Sequence, residues 1–488
     1  MPTAALNMLR VDRLHREPLQ AQLYGQIRRF VISGELAAGT RLPSTRELME
    51  QLRLSRNTIV YAFERLVTEG YLESKPGSGT YVAPVHGGMH GRDTGDVRSR
   101  TRSYGQRRLS ARAAVLAGAR ISPEYSSALL RPFRPCQPAV DVFPLRTWNR
   151  ARSSALRSAS EHLLFLNDPA GLPRLRQTLC VYLRDARGVR CEPDQIIVTS
   201  GSQQALTLLA STLIDPGDAI WIEDPGYLGA RAAFSAAGAK LVPIVTDEYG
   251  LAIPHATKPP SPRLIYTTPS RQFPLGTTMS LARRLALLEF ARSAGAWIVE
   301  DDYDSEFRYV GRPLPSLQGM DSSGDCVIYV GSLNKVLFGS LRLGYLVVPE
   351  HLANALRTAK EVDDGACPAV DQATVAVLIE EGSFATHVRR MRALYAERRD
   401  AFLHEARRRL SGLVTFPDVE AGMDAIGWLA SATDDTAVSR RLGANGVDAP
   451  PLSAYSMRPC EPGLLFGFTA FTLPQTLAAL EATERSLR

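Results

Sequence analysis

The stretch GSLNKVLFGSLRLGYLV, residues 331–347, places a lysine in a chain whose basic residues are almost all arginine. The chain has 5 lysines among its 57 lysines and arginines, and one of them is Lys335. Lysine readily loses its proton and forms Schiff bases, whereas arginine stays charged. The pattern therefore indicates either chemistry at this position or a lysine that lies in a loop by chance.

Apolar segments that end in polar residues occur on both sides of this lysine. These segments are QIIVTSG, AIWIEDPGY, RLIYTTPS, WIVEDDYDSEF and CVIYVGSLNK. They alternate with helical patterns from about residue 131 onward, which is typical of an α/β fold. Ligands of such folds bind at the carboxyl ends of the strands, so these polar residues predict a binding site.

Some of these residues are suited to a phosphate beside an aldehyde. The turn TSGSQQAL leaves the N–H groups of Ser202 and Gln203 free at a helix start, where anions bind. By itself this turn does not indicate a phosphate site, because most strand-to-helix turns of this kind bind no ligand. Ser332 and Arg342 can also hold a phosphate dianion, and Lys335 lies between them in the sequence.

Other strand ends offer partners for a flat heterocycle. Asp301 can pair with a protonated ring nitrogen, and Tyr303 follows two residues later. Tyr227 in DPGY can stack on a ring, although tyrosine is more commonly packed in a core. The neighbouring acidic residues are interpreted as a solvated loop: Asp302, Asp304 and Glu306. The sequence thus offers residues for a phosphate, a partner for a ring nitrogen, a lysine that can react with an aldehyde and an aromatic residue that can stack. Together they predict pyridoxal 5′-phosphate as cofactor.

The order and spacing of these residues resemble the fold type I aminotransferases over about residues 131–485. By that resemblance Lys335 forms the Schiff base with the cofactor, and Asp301 binds the pyridine nitrogen. Arg342 would bind the phosphate, and Tyr303 would donate a hydrogen bond to the phenolic oxygen of the cofactor.

The N-terminal part of the sequence predicts a smaller unit, residues 12–84, with three short helices and a two-stranded ribbon. PLQAQLYGQIRRFVISGEL and SRNTIVYAFERLVTEGYL have apolar residues at helical spacing, and RLPSTRELMEQLRL offers Ser44 and Glu47 as a capping box. ESKPGSGTYVAP predicts two strands joined by a turn. This is the plan of a winged helix-turn-helix, whose second helix lies in the DNA major groove. The alternative is a three-helix interaction module.

Candidate DNA contacts follow from that plan. They are Arg41, Ser44, Thr45, Arg46, Ser55, Arg56, Asn57, Thr58 and Gly79. Arg56 can read a guanine edge with two hydrogen bonds, whereas Arg41 and Arg46 suit phosphates. The run from GTRLPSTREL through SRNT to GSGT closely resembles the DNA-binding domain of the GntR superfamily of bacterial regulators.

Between these parts, residues 85–130 are rich in glycine, serine and arginine and predict a flexible basic linker. A GntR-type module joined to an aminotransferase-like domain, residues 131–488, resembles the MocR subfamily. That resemblance implies a sensor domain, a head-to-tail homodimer, a double-stranded DNA operator, and an effector that is an amine, an amino acid or the cofactor itself.

The chain departs from the usual pattern of that subfamily at several positions. Leu172 replaces an aromatic residue, Arg271 a histidine, Asn334 a serine, Gly339 a proline and Cys136 a glycine. Aminotransferases bind the substrate α-carboxylate with an arginine in the segment aligned with PGLLFGFTAF. Leu465 and Phe466 lie at or next to that position here, which weakens the expectation of amino-acid transamination.

Composition limits the other classes of function. The net charge of +7 permits a nucleic-acid partner. No apolar run reaches the roughly 18 residues of a membrane span, and the N-terminus lacks the apolar core of a signal peptide. The scattered cysteines and histidines predict neither disulfides nor a metal site, as suits a bacterial cytoplasm.

Three hypotheses remain open at the level of sequence. The first is a DNA-binding transcription regulator that binds pyridoxal 5′-phosphate through Lys335 and senses an amine, an amino acid or the cofactor. The second is an active aminotransferase with a regulatory DNA-binding module. The third is a DNA-binding protein whose rear domain only dimerises.

Overall fold

The computed structural model describes residues 9–488 apart from 14, 16, 85–107, 124, 126–128, 158–162, 164, 166–167, 255–258 and 312–314. The chain divides into two compact units, residues 1–106 and 107–488. The fold class is α/β, with three helices and a hairpin in the first unit and a large mixed sheet with helices in the second, as the sequence predicts.

The first unit contains three helices and a hairpin. Its elements are α1 (Leu19–Ile32), α2 (Thr45–Leu52), α3 (Arg56–Thr68), β1 (Leu72–Lys75) and β2 (Gly79–Val82). One apolar face of each helix enters a common core that includes Leu23, Leu48 and Phe63. The predicted capping box is confirmed, because Ser44 Oγ accepts a hydrogen bond from Glu47 N (3.2 Å) while Glu47 Oε2 accepts one from Ser44 N (2.6 Å).

The second unit includes a short helix that the sequence does not predict. Residues 85–107 of the predicted linker lie outside the described residues, but α4 (Ala111–Gly118) forms within the remainder. Ser110 caps this alanine-rich helix by accepting a hydrogen bond from Ala113 N (3.0 Å). Arginine and glycine in this segment concealed a short capped helix, and the domain boundaries at residues 84 and 131 stay a prediction.

The rest of the second unit is a sheet covered by helices, followed by a smaller C-terminal part. Its helices are α5 (Leu145–Arg157), α6 (Pro173–Arg187), α7 (Ser202–Leu213), α8 (Leu228–Ala236), α9 (Leu281–Ala294), α10 (Leu317–Met320), α11 (Glu350–Asp364), α12 (Ala369–Glu380), α13 (Ser383–Arg409), α14 (Asp435–Ala444) and α15 (Leu473–Leu487). Its strands are β3 (Ile196–Thr199), β4 (Ala219–Asp224), β5 (Lys240–Asp247), β6 (Gly250–Leu251), β7 (Leu264–Thr267), β8 (Trp297–Asp302), β9 (Val327–Ser332), β10 (Gly344–Val347), β11 (Asp424–Trp428) and β12 (Gly463–Gly467).

The main sheet has the strand order β3-β10-β9-β8-β7-β4-β5-β6. The pairs from β9 through β5 are parallel, whereas β10 is antiparallel to both β3 and β9. Because β10 is antiparallel to both of its neighbours, β3 runs in the same direction as β9. The strands β3, β4, β7, β8 and β9 therefore all end at one edge of the sheet. The five apolar segments of the sequence form these strands, and helices on both faces bury them because the segments are apolar throughout.

The C-terminal part pairs β11 with β12 and packs them against α13, α14 and α15. Its core contains a cluster of aromatic rings that includes Phe133, Phe402 and Phe466. Phe133 also forms a bridge with Gly467, so residues before α5 are tied to the end of β12. This tie carries the segment around Cys136 to the edge where the parallel strands end.

Candidate functional site

The strand ends of the main sheet enclose a cavity of about 390 Å³. The lining residues are Ile121, Ser122, Pro123, Tyr125, Arg134, Pro135, Cys136, Gln137, Ser202, Tyr227, Tyr266, Thr268, Phe273, Asp301, Tyr303, Lys335 and Tyr455. Five of the eight candidate cofactor residues are among them: Ser202, Tyr227, Asp301, Tyr303 and Lys335. The topology brings them together because their strands share one carboxyl edge.

Asp301, near the end of β8, presents one carboxylate oxygen without a partner. Its Oδ2 accepts a hydrogen bond from Tyr266 (2.7 Å), a residue of β7 that the sequence did not single out. Its Oδ1 is buried and has no hydrogen-bond partner among the described residues. Burial raises the pKa of Asp301 to about 7, against the hydrogen bond from Tyr266. A protonated ring nitrogen would satisfy this oxygen and keep the carboxylate charged.

The same pKa predicts a pH dependence for the protein without cofactor. A carboxyl group whose folded-state pKa lies above its ordinary value of 3.8 makes its full contribution to the stability of the fold below that value. This contribution is lost as the pH rises from 3.8 through about 7. We expect the Tm to fall between about pH 4 and pH 7, and to fall less in Asp301→Asn, which keeps an acceptor for Tyr266. Thermal unfolding followed by circular dichroism checks this.

A matched control for that experiment is Asp321→Asn. Asp321 is also buried, yet Arg292 and backbone N–H groups hold its pKa low against the effect of burial. Its own contribution changes below about pH 4, so its substitution should leave the fall between about pH 4 and pH 7 unchanged. Equal falls in the wild type and in Asp301→Asn would contradict the raised pKa of Asp301.

Lys335 follows β9 and reaches the same cavity. Its Nζ donates a hydrogen bond to the backbone oxygen of Cys136 (2.9 Å), and the side chain is half-buried. From the sequence, Cys136 is only an unusual residue at its position. Its hydrogen bond with Lys335 could not be predicted, because a backbone contact across 199 positions leaves no pattern in the chain.

The groups predicted to bind phosphate meet at the start of α7. A Cβ atom placed on Gly201, which has φ of +93°, would lie 3.0 Å from Asn334 Nδ2 and 3.7 Å from Arg342 Nη1. Both side chains therefore border the helix N-terminus, where the N–H groups of Ser202 and Gln203 are free to bind an anion. The Arg342 guanidinium is exposed and makes no hydrogen bond or ion pair with another described residue.

Two other candidates of this group are engaged in local hydrogen bonds. The Gln203 side chain donates to Gly229 O (3.0 Å), and its backbone N–H remains free at the helix start to bind an anion. Ser332 Oγ accepts from Asn334 N (3.4 Å) and is buried. Asn334, a departure from the usual pattern, is fixed by Leu343 N, which donates to its Oδ1 (3.0 Å). Its amide nitrogen consequently faces the helix N-terminus.

Tyr227 and Tyr303 form aromatic walls on either side of Phe273. The ring of Phe273 meets both edge to face, with centroid distances of 6.0 Å to Tyr227 and 5.8 Å to Tyr303. The Tyr227 hydroxyl lies 3.4 Å from Gln203 Oε1, to which it donates. Burial raises the pKa of Tyr227, so its phenol stays protonated.

A buried ion network lies behind Tyr303. Arg271 Nη1 donates to the Tyr303 hydroxyl oxygen (2.8 Å), and Arg271 Nη2 donates to Asp424 Oδ1 (2.6 Å). Asp304 Oδ2 lies 3.4 Å from Arg271, and burial raises the pKa of Asp304 to about 7. The sequence marked Arg271 as a departure but did not find Asp424, which lies 153 residues further along the chain.

The interpretation of the acidic residues after Asp301 as a solvated loop is wrong. Asp302 and Asp304 are buried, and Glu306 is half-buried. Asp302 pairs with Arg187 (2.8 Å) and accepts a hydrogen bond from Tyr329 (2.6 Å). Neighbouring helices cover these strand-end carboxylates, and the arginines that neutralise them are far away in sequence.

The first unit has its own polar surface. Arg56 and Asn57 are exposed in the first turn of α3, while the hydroxyls of Ser55 and Thr58 lie 2.8 Å apart and Ser55 caps the helix. Arg41, Ser44 and Arg46 are exposed near α2, and Thr45 is half-buried there.

The wing residue Gly79 lies beside Arg41. Its φ of +118° belongs to the region that favours glycine, and an added Cβ would lie 3.1 Å from Arg41 Nε. The bridge between Arg41 and Tyr81 fixes this approach. The structure therefore joins the predicted α2 and wing contacts in one polar surface.

Comparison with known proteins agrees with both units. The profile of bacterial regulatory proteins of the gntR family matches residues 19–82, and that of aminotransferase class I and II matches residues 139–447. The probable rhizopine catabolism regulatory protein MocR of Rhizobium meliloti is 41% identical over 475 residues, which cover 96% of this chain and 94% of that protein. This chain belongs to the MocR subfamily of GntR-type transcription regulators.

Two further proteins are similar to the chain along most of its length. The pyridoxine biosynthesis transcriptional regulator PdxR of Corynebacterium glutamicum is 31% identical, with 92% of each chain covered. Among solved structures, the α-aminoadipate aminotransferase LysN of Thermus thermophilus, complexed with N-(5′-phosphopyridoxyl)-L-leucine, superposes with a TM-score of 0.68. It is 28% identical, and the match covers 78% of this MocR-type chain and 98% of the aminotransferase.

None of the helices in the described part of the chain is long and apolar enough to cross a membrane.

Proposed function

We propose that this regulator binds pyridoxal 5′-phosphate on Lys335 and changes its DNA binding when an amine, an amino acid or the cofactor itself occupies the second unit. The observation that carries this proposal is the unpartnered, buried Oδ1 of Asp301 in the same cavity as Lys335. A buried carboxylate oxygen without a donor costs free energy, and a pyridinium N–H is a donor of the right kind.

Each of the other site residues has a defined task in this proposal. The N-terminus of α7, Asn334 and Arg342 bind the phosphate. Tyr227 covers one face of the ring. Since Arg271 donates to the oxygen of Tyr303, the hydroxyl proton of Tyr303 is left to donate to the phenolic oxygen of the cofactor. When bound, the cofactor supplies an aldehyde carbon that exchanges between lysine and free amines.

The effector acts through its difference in affinity for two states of the protein. If an amine bonded to the cofactor in place of Lys335, the lysine would leave as a free amine and its side chain would change its contacts in the cavity. We propose a head-to-tail homodimer, so that two winged modules reach paired half-sites on cytoplasmic chromosomal DNA.

Binding of a double-stranded operator tests the regulatory part of this proposal. Arg56→Ala should weaken specific binding by about 1–3 kcal/mol while non-specific binding changes less, because the residue reads a base edge. Arg46→Ala is the matched control, since a phosphate contact should lower both affinities alike. Fluorescence anisotropy with operator and scrambled duplexes measures both, and an equal loss in Arg56→Ala would refute base reading.

A second candidate function is transamination. The presence of Lys335 and Asp301 in one cavity, on a fold shared with aminotransferases, favours it. Against it, Leu465 and Phe466 are fully buried apolar residues in β12, where the sequence comparison expects a carboxylate-binding arginine. Incubation with amino donors and a keto acid separates the two functions, since a sensor gives no repeated turnover.

A further inference from the structure

The cavity around Lys335 has a second region beyond the groups assigned to the cofactor. Its lining residues are Ile121, Ser122, Pro123, Tyr125, Arg134, Pro135, Cys136, Gln137, Phe273 and Tyr455. This region is the place for an effector, provided that the cofactor binds as proposed above. Most of these residues are aromatic or aliphatic, and Ser122, Arg134 and Gln137 are the polar ones.

One backbone oxygen lies in this region beside Lys335, and a buried carboxylate lies behind it. The backbone oxygen of Cys136 accepts from Lys335 Nζ (2.9 Å), and the Cys136 thiol donates to Asp424 Oδ2 (3.2 Å). Asp424 is fully buried. A carbonyl dipole and a buried carboxylate at this end favour N–H donors and disfavour a second carboxylate in a low-dielectric cavity.

The nearby guanidinium groups are already bound to carboxylates. Arg134 donates through Nε to Asp448 (3.0 Å) and lies over the ring of Tyr125, 4.1 Å from its centroid. Arg271 donates to Asp424 Oδ1 and also to the backbone oxygens of Asp424 (2.8 Å) and Ala421 (3.0 Å). A substrate carboxylate would have to compete with these partners for either arginine.

Leu465 belongs to the apolar cluster behind the cavity wall and does not line the cavity itself. It is fully buried and packs in one cluster with Phe273 and Tyr455. A carboxylate placed against this cluster would lose its hydration without gaining a hydrogen bond. An uncharged hydrocarbon or aromatic body would instead bury apolar surface there.

We propose that the effector of this regulator is a small primary amine with an uncharged body and no carboxylate. The amine nitrogen lies beside Lys335 and the backbone oxygen of Cys136, and the body lies against Phe273 and Tyr455, with Leu465 behind them. The body is small because the cofactor shares the cavity of about 390 Å³.

Two matched pairs of probes test this assignment: 2-phenylethylamine with L-phenylalanine, and n-butylamine with 4-aminobutanoate. The measurement is the concentration of each probe that half-saturates the change in visible absorbance of the cofactor-loaded full-length protein. Free pyridoxal 5′-phosphate is titrated in parallel to correct for intrinsic reactivity. After this correction, each amine should half-saturate at a concentration at least about tenfold lower than its carboxylate partner.

The variant Asp424→Asn adds a readout of the electrostatic argument. It keeps the size of the side chain but releases one charged partner of Arg271, so the preference for amines over their carboxylate partners should shrink at least about threefold. Asp321→Asn, which removes a buried carboxylate paired with Arg292, is the control and should leave the preference unchanged.

The outcomes distinguish this inference from the proposed function. A wild-type protein that gives no visible band with pyridoxal 5′-phosphate refutes the proposed function and the inference together. A band that responds equally or more strongly to the carboxylate probes, or to neither member of a pair, overturns the inference and leaves cofactor binding standing. An unchanged preference in Asp424→Asn also overturns it.

Discussion

Lys335→Ala should abolish the visible absorbance band that the protein acquires with pyridoxal 5′-phosphate. The side chain of Lys335 reaches into the cavity beside Asp301, and alanine leaves no amine there to bond with the aldehyde. Lys335→Arg should lose the band as well, because a guanidinium keeps the charge but stays protonated. The same two variants should lose any change in operator affinity that an amine causes in the wild type.

The matched control is Lys240→Ala, which removes an exposed lysine from β5. It should keep the band and the response to amines. Borohydride reduction followed by peptide mass spectrometry gives a second measurement, since the cofactor mass should appear on the peptide that contains residue 335. Its appearance on another lysine, or a band that persists in Lys335→Ala, would refute the assignment.

The large elements could be predicted from the sequence because their signals are local. Five apolar runs became the strands that end at the cavity, and the Ser44–Glu47 capping box fixed the start of α2. The motif around Lys335 carries its information in neighbouring residues, and a topology of parallel strands brings such strand ends together. For these features, short sequence segments determine the structure.

Contacts between distant segments could not be predicted in this way. Tyr266 occupies a buried strand as any aromatic residue would, and only the pairing of β7 with β8 places its hydroxyl on Asp301. Similarly, Arg187 neutralises Asp302 from 115 residues away, so a row of carboxylates was misread as a solvated loop. The helix α4 was not predicted, because the glycine, serine and arginine content of its segment indicated a linker although Ser110 can cap a short helix there.

Arg271→Ala should destabilise the second unit by about 3–5 kcal/mol, the range for breaking a buried ion pair by removal of one partner. Arg271 is 3% exposed, and its guanidinium binds Asp424, approaches Asp304 and donates to Tyr303. Alanine would leave the Asp424 carboxylate buried without its cation and the Tyr303 hydroxyl without its donor. Chemical denaturation of the full-length protein, followed by tryptophan fluorescence, measures the loss.

Arg174→Ala is the matched control for this experiment. Arg174 also donates to a carboxylate of the second unit, Glu380 (2.9 Å), but both side chains are more than a third exposed. Exposed pairs contribute about 0–1 kcal/mol, so this variant should be nearly as stable as the wild type. Equal losses in the two arginine variants would contradict the role of burial.

The double variant Arg271→Met, Asp424→Leu separates the cost of an unpaired charge from the worth of the pair. Replacing both partners of a buried pair with apolar residues is often neutral, so the double variant should recover most of the stability that Arg271→Ala loses. Cofactor affinity should not recover with it, because Tyr303 still lacks the donor that orients its hydroxyl. Recovery of both stability and cofactor affinity would mean that Arg271 serves stability alone. Recovery of stability without cofactor affinity would assign Arg271 the positioning of Tyr303.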